Sequence, residues 1–223
     1  MVSDISTIVG TIPYRMAFAG GWIDQPFVSE LNPSPPGAMV VVAIDADCRF
    51  MDRCGMGTST RRVAERLWQD GLPDIDPAEL TKMLYHEENK HNEEPSGSQD
   101  MIGLLYPGVN RLDYEISHEG GLFPVNIESC NDPNFARWLE EVIYMVPVAQ
   151  RPAGYNPLEE KHLEPSLIER LGKTGHDCFD AIVGMDMERL GGSMNDCMEC
   201  WEAILPNTVT HSTITVDLKG ILE

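Results

Sequence analysis

The stretch RMAFAGGWIDQP, Arg15–Pro26, is a short apolar run that opens with an arginine and closes on two glycines and an acid. With IPY before it, the run reads as a strand over residues 12–19, ended by a turn at Gly20-Gly21. A glycine pair suits a tight turn, or a backbone that another group approaches closely. Such a turn aims Trp22 and Asp24 at whatever lies above it. On its own the stretch is equally a plain turn with an exposed acid, so the remainder of the chain decides between the two.

A second strand is expected over residues 39–45, MVVVAID, an apolar β-branched run after the proline-rich loop SELNPSPPG. Next comes CGMGTSTRRVAERLWQDG, residues 54–71, where Val63, Ala64, Leu67 and Trp68 fall at helical spacing and Gly71 ends the helix. Gly55, Gly57, Thr58, Ser59 and Thr60 stand at the mouth of that helix. Two readings fit: an ordinary capped helix after a glycine turn, or an anion cradle built from first-turn N–H groups and the helix dipole. Arg61 and Arg62 oppose the dipole and fit better beside an anion. The lysine of a Walker loop is missing.

A helix over about residues 77–92 places Leu80, Met83, Leu84, Glu87, Glu88 and His91 on one side by i, i+3, i+4, i+7 counting. Carboxylates that continue an apolar stripe are paired, neutral or metal-bound when buried; alternatively the stripe ends there and they are wet. In SGSQD, Ser98 is a candidate N-cap and Gln99 and Asp100 lie in the first turn of a short helix. Asp100 is then either a dipole-friendly acid or a base and electrostatic partner for a hydroxyl. Strands are expected in NRLDYEI and LFPVNI, a further strand region in WLEEVIYMVPVA, and mostly helix from Leu158 to Trp201.

The chain has 223 residues and a net charge of −20, from 36 acids against 16 lysines and arginines, which argues against nucleic acid or an anionic membrane as partner. A small phosphate ligand held by backbone N–H groups and a divalent cation remains compatible. No signal peptide and no membrane-spanning run is read, and the six scattered cysteines look like reduced cytosolic thiols. Cys197 and Cys200 form one CxxC inside a helical stretch without the second pair that zinc needs.

Taken in order, these pieces resemble the superfamily of galactokinase, homoserine, mevalonate and phosphomevalonate kinases (GHMP kinases), closest to its sugar and heptose-phosphate kinases. RMAFAGGWIDQP is similar to the opening sugar-kinase motif, and GAMVVVAID to the strand after it. GMGTSTRRVAERLW resembles the glycine-rich second motif, and in ENKHNEEPSGSQD the Glu stands twelve residues before the Asp, as in the family's metal-binding Glu and catalytic Asp. Each motif alone is unspecific; their order carries the resemblance. It implies an α+β fold, a mixed sheet with helices over residues 1–130 and a smaller helix-rich part over 131–223.

It also implies Mg²⁺- and ATP-dependent phosphorylation of a sugar or sugar-phosphate hydroxyl in the cytoplasm, with a small-molecule sugar and a nucleotide as partners and oligomerisation possible. Asp100 and Arg15 would be catalytic; Gly20, Gly21, Trp22, Asp24 and Gln99 would bind the sugar. Gly55, Gly57, Thr58, Ser59 and Thr60 would cradle phosphate, and Glu88 with Thr58 or Ser59 would hold the metal. Two departures accompany the match. Only Ala46–Cys54 joins the second strand to the glycine-rich motif, where the family builds much of its adenine pocket, and no third glycine-rich motif follows, so the C-terminal part is expected to be incomplete. The alternative is a non-catalytic sugar- or partner-binding protein of the same fold that has lost its nucleotide site.

Overall fold

The computed structural model describes residues 13–31, 36–45, 56–93, 95–146, 153–210 and 220. Four strands, β1 (Tyr14–Ala19), β2 (Gly37–Ile44), β3 (Val109–Tyr114) and β4 (Asn126–Cys130), form one antiparallel sheet in the order β1-β2-β3-β4. Seven helices accompany it among the described residues: α1 (Pro26–Ser29), α2 (Thr58–Leu67), α3 (Pro77–Asn89), α4 (Gln99–Leu105), α5 (Pro133–Val142), α6 (Pro165–Val183) and α7 (Met187–Ile204). The architecture is α+β.

The first two strands stand where the apolar runs place them. Residues Gly37 to Val42 are buried in succession, because β2 lies inside the sheet and helices cover both its faces. Alternation then sorts the side chains. Val40 and Val42 share a face with their partners Arg111 and Val109, and there Arg111 lies 5.2 Å above the Phe179 ring of α6. Tyr114 is on the other face and meets Ser98 at the start of α4, hydroxyl to hydroxyl, at 2.8 Å. The register of β1 on β2 slips between Ala17 and Ala19, leaving Phe18 as a bulge residue where the strand approaches its glycine turn.

Two apolar clusters hold this arrangement. The larger joins the strands to α6 and α7 through Val40, Leu112, Ile168, Leu171, Phe179 and Ile182. The smaller packs α2, α3 and α4 together through Val63, Trp68, Leu80, Leu84, Met101 and Leu104. No helix among the described residues is long and apolar enough to cross a membrane.

Four expectations need correction. The sheet is not mixed: strands consecutive in the chain are neighbours in the sheet, and every described pairing is antiparallel. WLEEVIYMVPVA is not a strand region: Trp138 to Val142 complete α5, Ile143 to Val146 have no regular structure, and the last three residues lie outside the described residues. The signal for helix was present. Asp132 accepts from Asn134 N at 2.8 Å as an N-cap, Pro133 follows at the first helical position, and Trp138, Leu139 and Val142 recur at helical spacing. In LFPVNI the strand begins only at Asn126, since Pro124 has no N–H for the ladder. The inward stripe of α3 is Leu80, Thr81, Leu84, Tyr85 and the half-buried Glu88; Met83, Glu87 and His91 face solvent. A helix advances 100° per residue, so a stripe drawn two positions too wide takes in the solvent side.

Candidate functional site

The turn after β1 is made by Gly20, whose φ of +75° belongs to the left-handed region and whose Cβ, if present, would lie 2.1 Å from Ala38 O. Ile23 N donates to Gly20 O at 3.3 Å and Gln25 N to Trp22 O at 3.1 Å, closing two successive turns. Helix α7 clasps them from the far end of the chain: Gly20 N donates to Cys197 Sγ at 3.2 Å, and Trp201 Nε1 donates to Gly21 O at 3.0 Å. Trp22, at φ 79°, packs its side chain against the larger apolar cluster. Asp24 turns inward and is only 1 % exposed.

The Asp24 carboxylate meets the segment that leads into α4. Its Oδ2 accepts from Gln99 N at 3.4 Å, and a Cβ on Gly97 would stand 1.6 Å from that same oxygen. Ser98 is the residue before α4, as expected, but its hydroxyl bonds to Tyr114 and does not cap the helix. One residue beyond Gln99, Asp100 forms a largely buried ion pair with Arg15, which reaches it from β1. The Arg15 stem passes close to Gly57 and Gly103, where added Cβ atoms would come within 3.1 and 2.7 Å of it.

Thr60, in the first turn of α2, completes the cluster. Its Oγ1 donates to Glu88 Oε1 of α3 at 3.0 Å and lies 3.4 Å from Asp100 Oδ2. Three carboxylates therefore converge with one guanidinium, each from a different element: the β1 turn, α3, α4 and β1 itself. Burial pushes the Asp24 carboxyl up to about 7, with the Asp100 charge adding to the effect. Burial likewise raises Glu88 to about 7, against the opposing hydrogen bond from Thr60. Removing a carboxylate from water disfavours its ionised form, so both acids titrate near neutrality.

The cluster is also where polar satisfaction fails. Five buried side-chain polar atoms have no hydrogen-bond partner among the described residues: Asp24 Oδ1, Thr58 Oγ1, Trp68 Nε1, Glu88 Oε2 and Gln99 Oε1. Four of them belong to this one region. Buried polar groups are ordinarily paired, so this concentration makes the cluster the candidate functional site among the described residues.

The residues singled out in the sequence divide as follows. Arg15, Asp24, Thr60, Glu88, Gln99 and Asp100 come together. Gly57 caps α2 in the left-handed conformation with no side-chain cap, and Thr58 is the first helical residue beside it. Ser59 is exposed, and Gly55, like Cys48 and Cys54, lies outside the described residues. Arg61 finds protein partners, pairing with Glu65 and lying 4.9 Å over the Tyr14 ring. Cys178, Cys197 and Cys200 are buried free thiols, with Cys178 pushed up to about 12 by burial. Among the described residues no group of three or more His, Cys, Asp or Glu side chains is arranged to hold a metal ion by itself. Gln25, Gly97 and Tyr114 were not legible as site residues.

Away from this cluster, a concavity of about 840 Å³ lies on the α6 side of the sheet, lined by Phe18, Val42, Ile44, Val109, Phe135 and Leu139 among others. Comparisons with protein-family models, with curated proteins and with solved structures find no match to this chain.

Proposed function

We propose that the chain transfers a phosphoryl group from Mg-ATP to a hydroxyl of a sugar or sugar phosphate, as the resemblance to GHMP kinases implies. The observation that carries the reading is the convergence of Arg15, Thr60, Glu88 and Asp100, drawn from three separated motifs, beside four unpartnered buried polar atoms. Phosphoryl transfer asks little covalent chemistry of a protein. It needs the reactants positioned and the developing charge stabilised.

The residues present suit these tasks. Asp100 stands at the start of α4, held by Arg15, and takes up the proton of the acceptor hydroxyl. Arg15 supplies positive charge where the transferring group gains negative charge. Asp24 offers Oδ1 to acceptor hydroxyls, and Gln99 offers Oε1 beside it. Glu88 Oε2 is an unsatisfied anionic oxygen, a donor that a hard cation accepts, and Mg²⁺ commonly takes one or two carboxylates and leaves its other positions to phosphate and water. When bound, the ion would neutralise charge on the phosphates; Thr58, at the start of α2, lies where phosphate oxygens meet a helix N-terminus.

The test is phosphate transfer from labelled ATP to a panel of sugars and sugar phosphates, with Mg²⁺, by wild type and Asp100→Asn. Transfer by the wild type that falls about 10²–10⁴-fold in a folded Asp100→Asn protein supports the assignment. Unchanged transfer in Asp100→Asn refutes the role of Asp100. Binding of a panel sugar without any transfer favours the non-catalytic reading.

A further inference from the structure

Gln25 follows Asp24 and is 7 % exposed, yet nothing in the proposed chemistry uses it. Its side-chain amide lies against the segment before α4. With the amide oriented as its neighbours require, oxygen toward the N–H and nitrogen toward the carbonyl, Nε2 donates to Pro95 O at 3.1 Å and Oε1 accepts from Gly97 N at 2.7 Å. Pro95 has no N–H and Gly97 has no side chain, so neither carries a donor or acceptor group of its own beyond the backbone. Between and beside them, Asn89 holds Ser96, its Oδ1 accepting from Ser96 N at 2.7 Å and from Ser96 Oγ at 3.1 Å and its Nδ2 donating to Ser96 O at 3.3 Å, and Ser98 is bonded to Tyr114. Two carboxylates depend on the outcome. Asp24 packs its Oδ2 against Gly97, and Asp100 sits three residues beyond it on α4.

We infer that Gln25 is a positioning residue: its amide latches the Pro95–Gly97 backbone onto the β1 turn, and so sets where Asp24 and Asp100 stand relative to each other. The inference rests on the proposed function for its catalytic consequence, but the latch itself does not. An amide suits the position because it donates at one end and accepts at the other, matching a carbonyl and an N–H two residues apart. A carboxylate at this position keeps only the accepting half. An apolar side chain keeps neither, and leaves a buried carbonyl and N–H unsatisfied.

This asymmetry makes the latch testable with Gln25→Leu and Gln25→Glu. Amide hydrogen exchange at Gly97 reads the accepting half directly. In folded Gln25→Leu the Gly97 amide exchanges about tenfold faster or more, as expected for one lost hydrogen bond, while Gln25→Glu leaves it protected. Phosphate transfer reads the consequence. Turnover falls about tenfold in both variants with the KM for Mg-ATP unchanged, because the nucleotide side does not touch the latch.

The ratio of Gln25→Glu to wild-type turnover then recovers as pH falls, since the protonated carboxyl regains a donor for Pro95 O. A destabilised but correctly placed site would show no such recovery. Unchanged Gly97 exchange in folded Gln25→Leu overturns the latch. If that variant does not fold, a Gln25→Glu ratio that stays flat with pH overturns the positioning role. Altered exchange in a protein whose wild type transfers no phosphate leaves the latch standing and removes the kinase reading.

Discussion

Replacing Gly97 with alanine adds one methyl group at the point where the Asp24 carboxylate rests. The new Cβ would lie 1.6 Å from Asp24 Oδ2, 2.1 Å from its Cγ and 2.8 Å from Oδ1. All three distances are far inside van der Waals contact, so something must move. The backbone at Gly97 is not in the left-handed region, so the whole cost is steric. Asp24 has a one-carbon stem, is 1 % exposed, and cannot swing aside as the end of a lysine could. Overpacking of a buried site costs typically ~1–3 kcal/mol. Displacing Asp24 also breaks its hydrogen bond from Gln99 N, worth about 1 kcal/mol more. The sum is a loss of roughly 2–4 kcal/mol, or a melting temperature lower by about 5–15 °C for a chain of this size.

Thermal or urea unfolding measures it, and a double-mutant cycle locates it. In an Asp24→Ala background the clashing atoms are gone, so Gly97→Ala should then cost less than about 0.5 kcal/mol. The coupling between the two substitutions is expected to be about 2 kcal/mol, within the range for residues in contact. An equal cost in both backgrounds, or a neutral Gly97→Ala in the wild type, would refute the packing of Asp24 on Gly97.

The raised acids predict a dependence of stability on pH. Asp24 titrates near 3.8 when unfolded and about 7 when folded, so between those values the folded state binds the extra proton. Its contribution is fully present below about pH 4 and is lost as pH rises to about 7, at up to ~1.4 kcal/mol per pH unit. Asp24→Asn should therefore gain stability relative to wild type as pH rises from 4 to 7 and hold that gain at pH 8, measured by melts across the range; a constant difference between the two proteins would contradict the buried, raised carboxyl. Glu88→Gln should melt higher than wild type at pH 8 without ligand, because the buried charge is gone. It should also lose any rise in melting temperature that Mg²⁺ adds to ATP; a variant that keeps the full Mg²⁺ effect would exclude Glu88 from the metal site.

How far the sequence led depended on the kind of signal. Strand β2 was plain because an unbroken β-branched run has one ready explanation, a strand covered on both sides. The starts of α2 and α3 were legible from the glycine turn and from the start at residue 77, whereas α2 stops at Leu67 rather than at Gly71 and α3 at Asn89 rather than near residue 92. Helix α5 is hidden in the sequence because the β-branched residues of VIYMVPVA suggest a strand, although the capping pair Asp132-Pro133 stands before it. At the site, motif order brought Arg15, Glu88 and Asp100 together correctly. What it could not show was which neighbour each side chain would choose. Thr60 was expected beside phosphate as part of the cradle, and its hydroxyl instead bridges Glu88 and Asp100. Arg61 was expected beside an anion and stacks on Tyr14. Gln25 and Gly97 gave no local pattern at all, since their roles arise from a contact between segments some seventy residues apart.

The clasp of α7 on the Gly20-Gly21 turn has a consequence for the order of events during synthesis. Trp201 and Gly21 are separated by 180 residues, and chains grow at ≈ 5–20 residues per second. For roughly 10–40 s after the turn leaves the peptidyl-transferase centre, the indole and thiol that hold it do not yet exist. The carboxylates of Asp24, Glu88 and Asp100 are all in place on the nascent chain long before the turn that carries Asp24 is secured. The turn is thus secured late, once α7 has been made. A ribosome stalled between Asp100 and Cys197 would have made every acid of the cluster and none of the hydrogen bonds by which α7 fixes the turn.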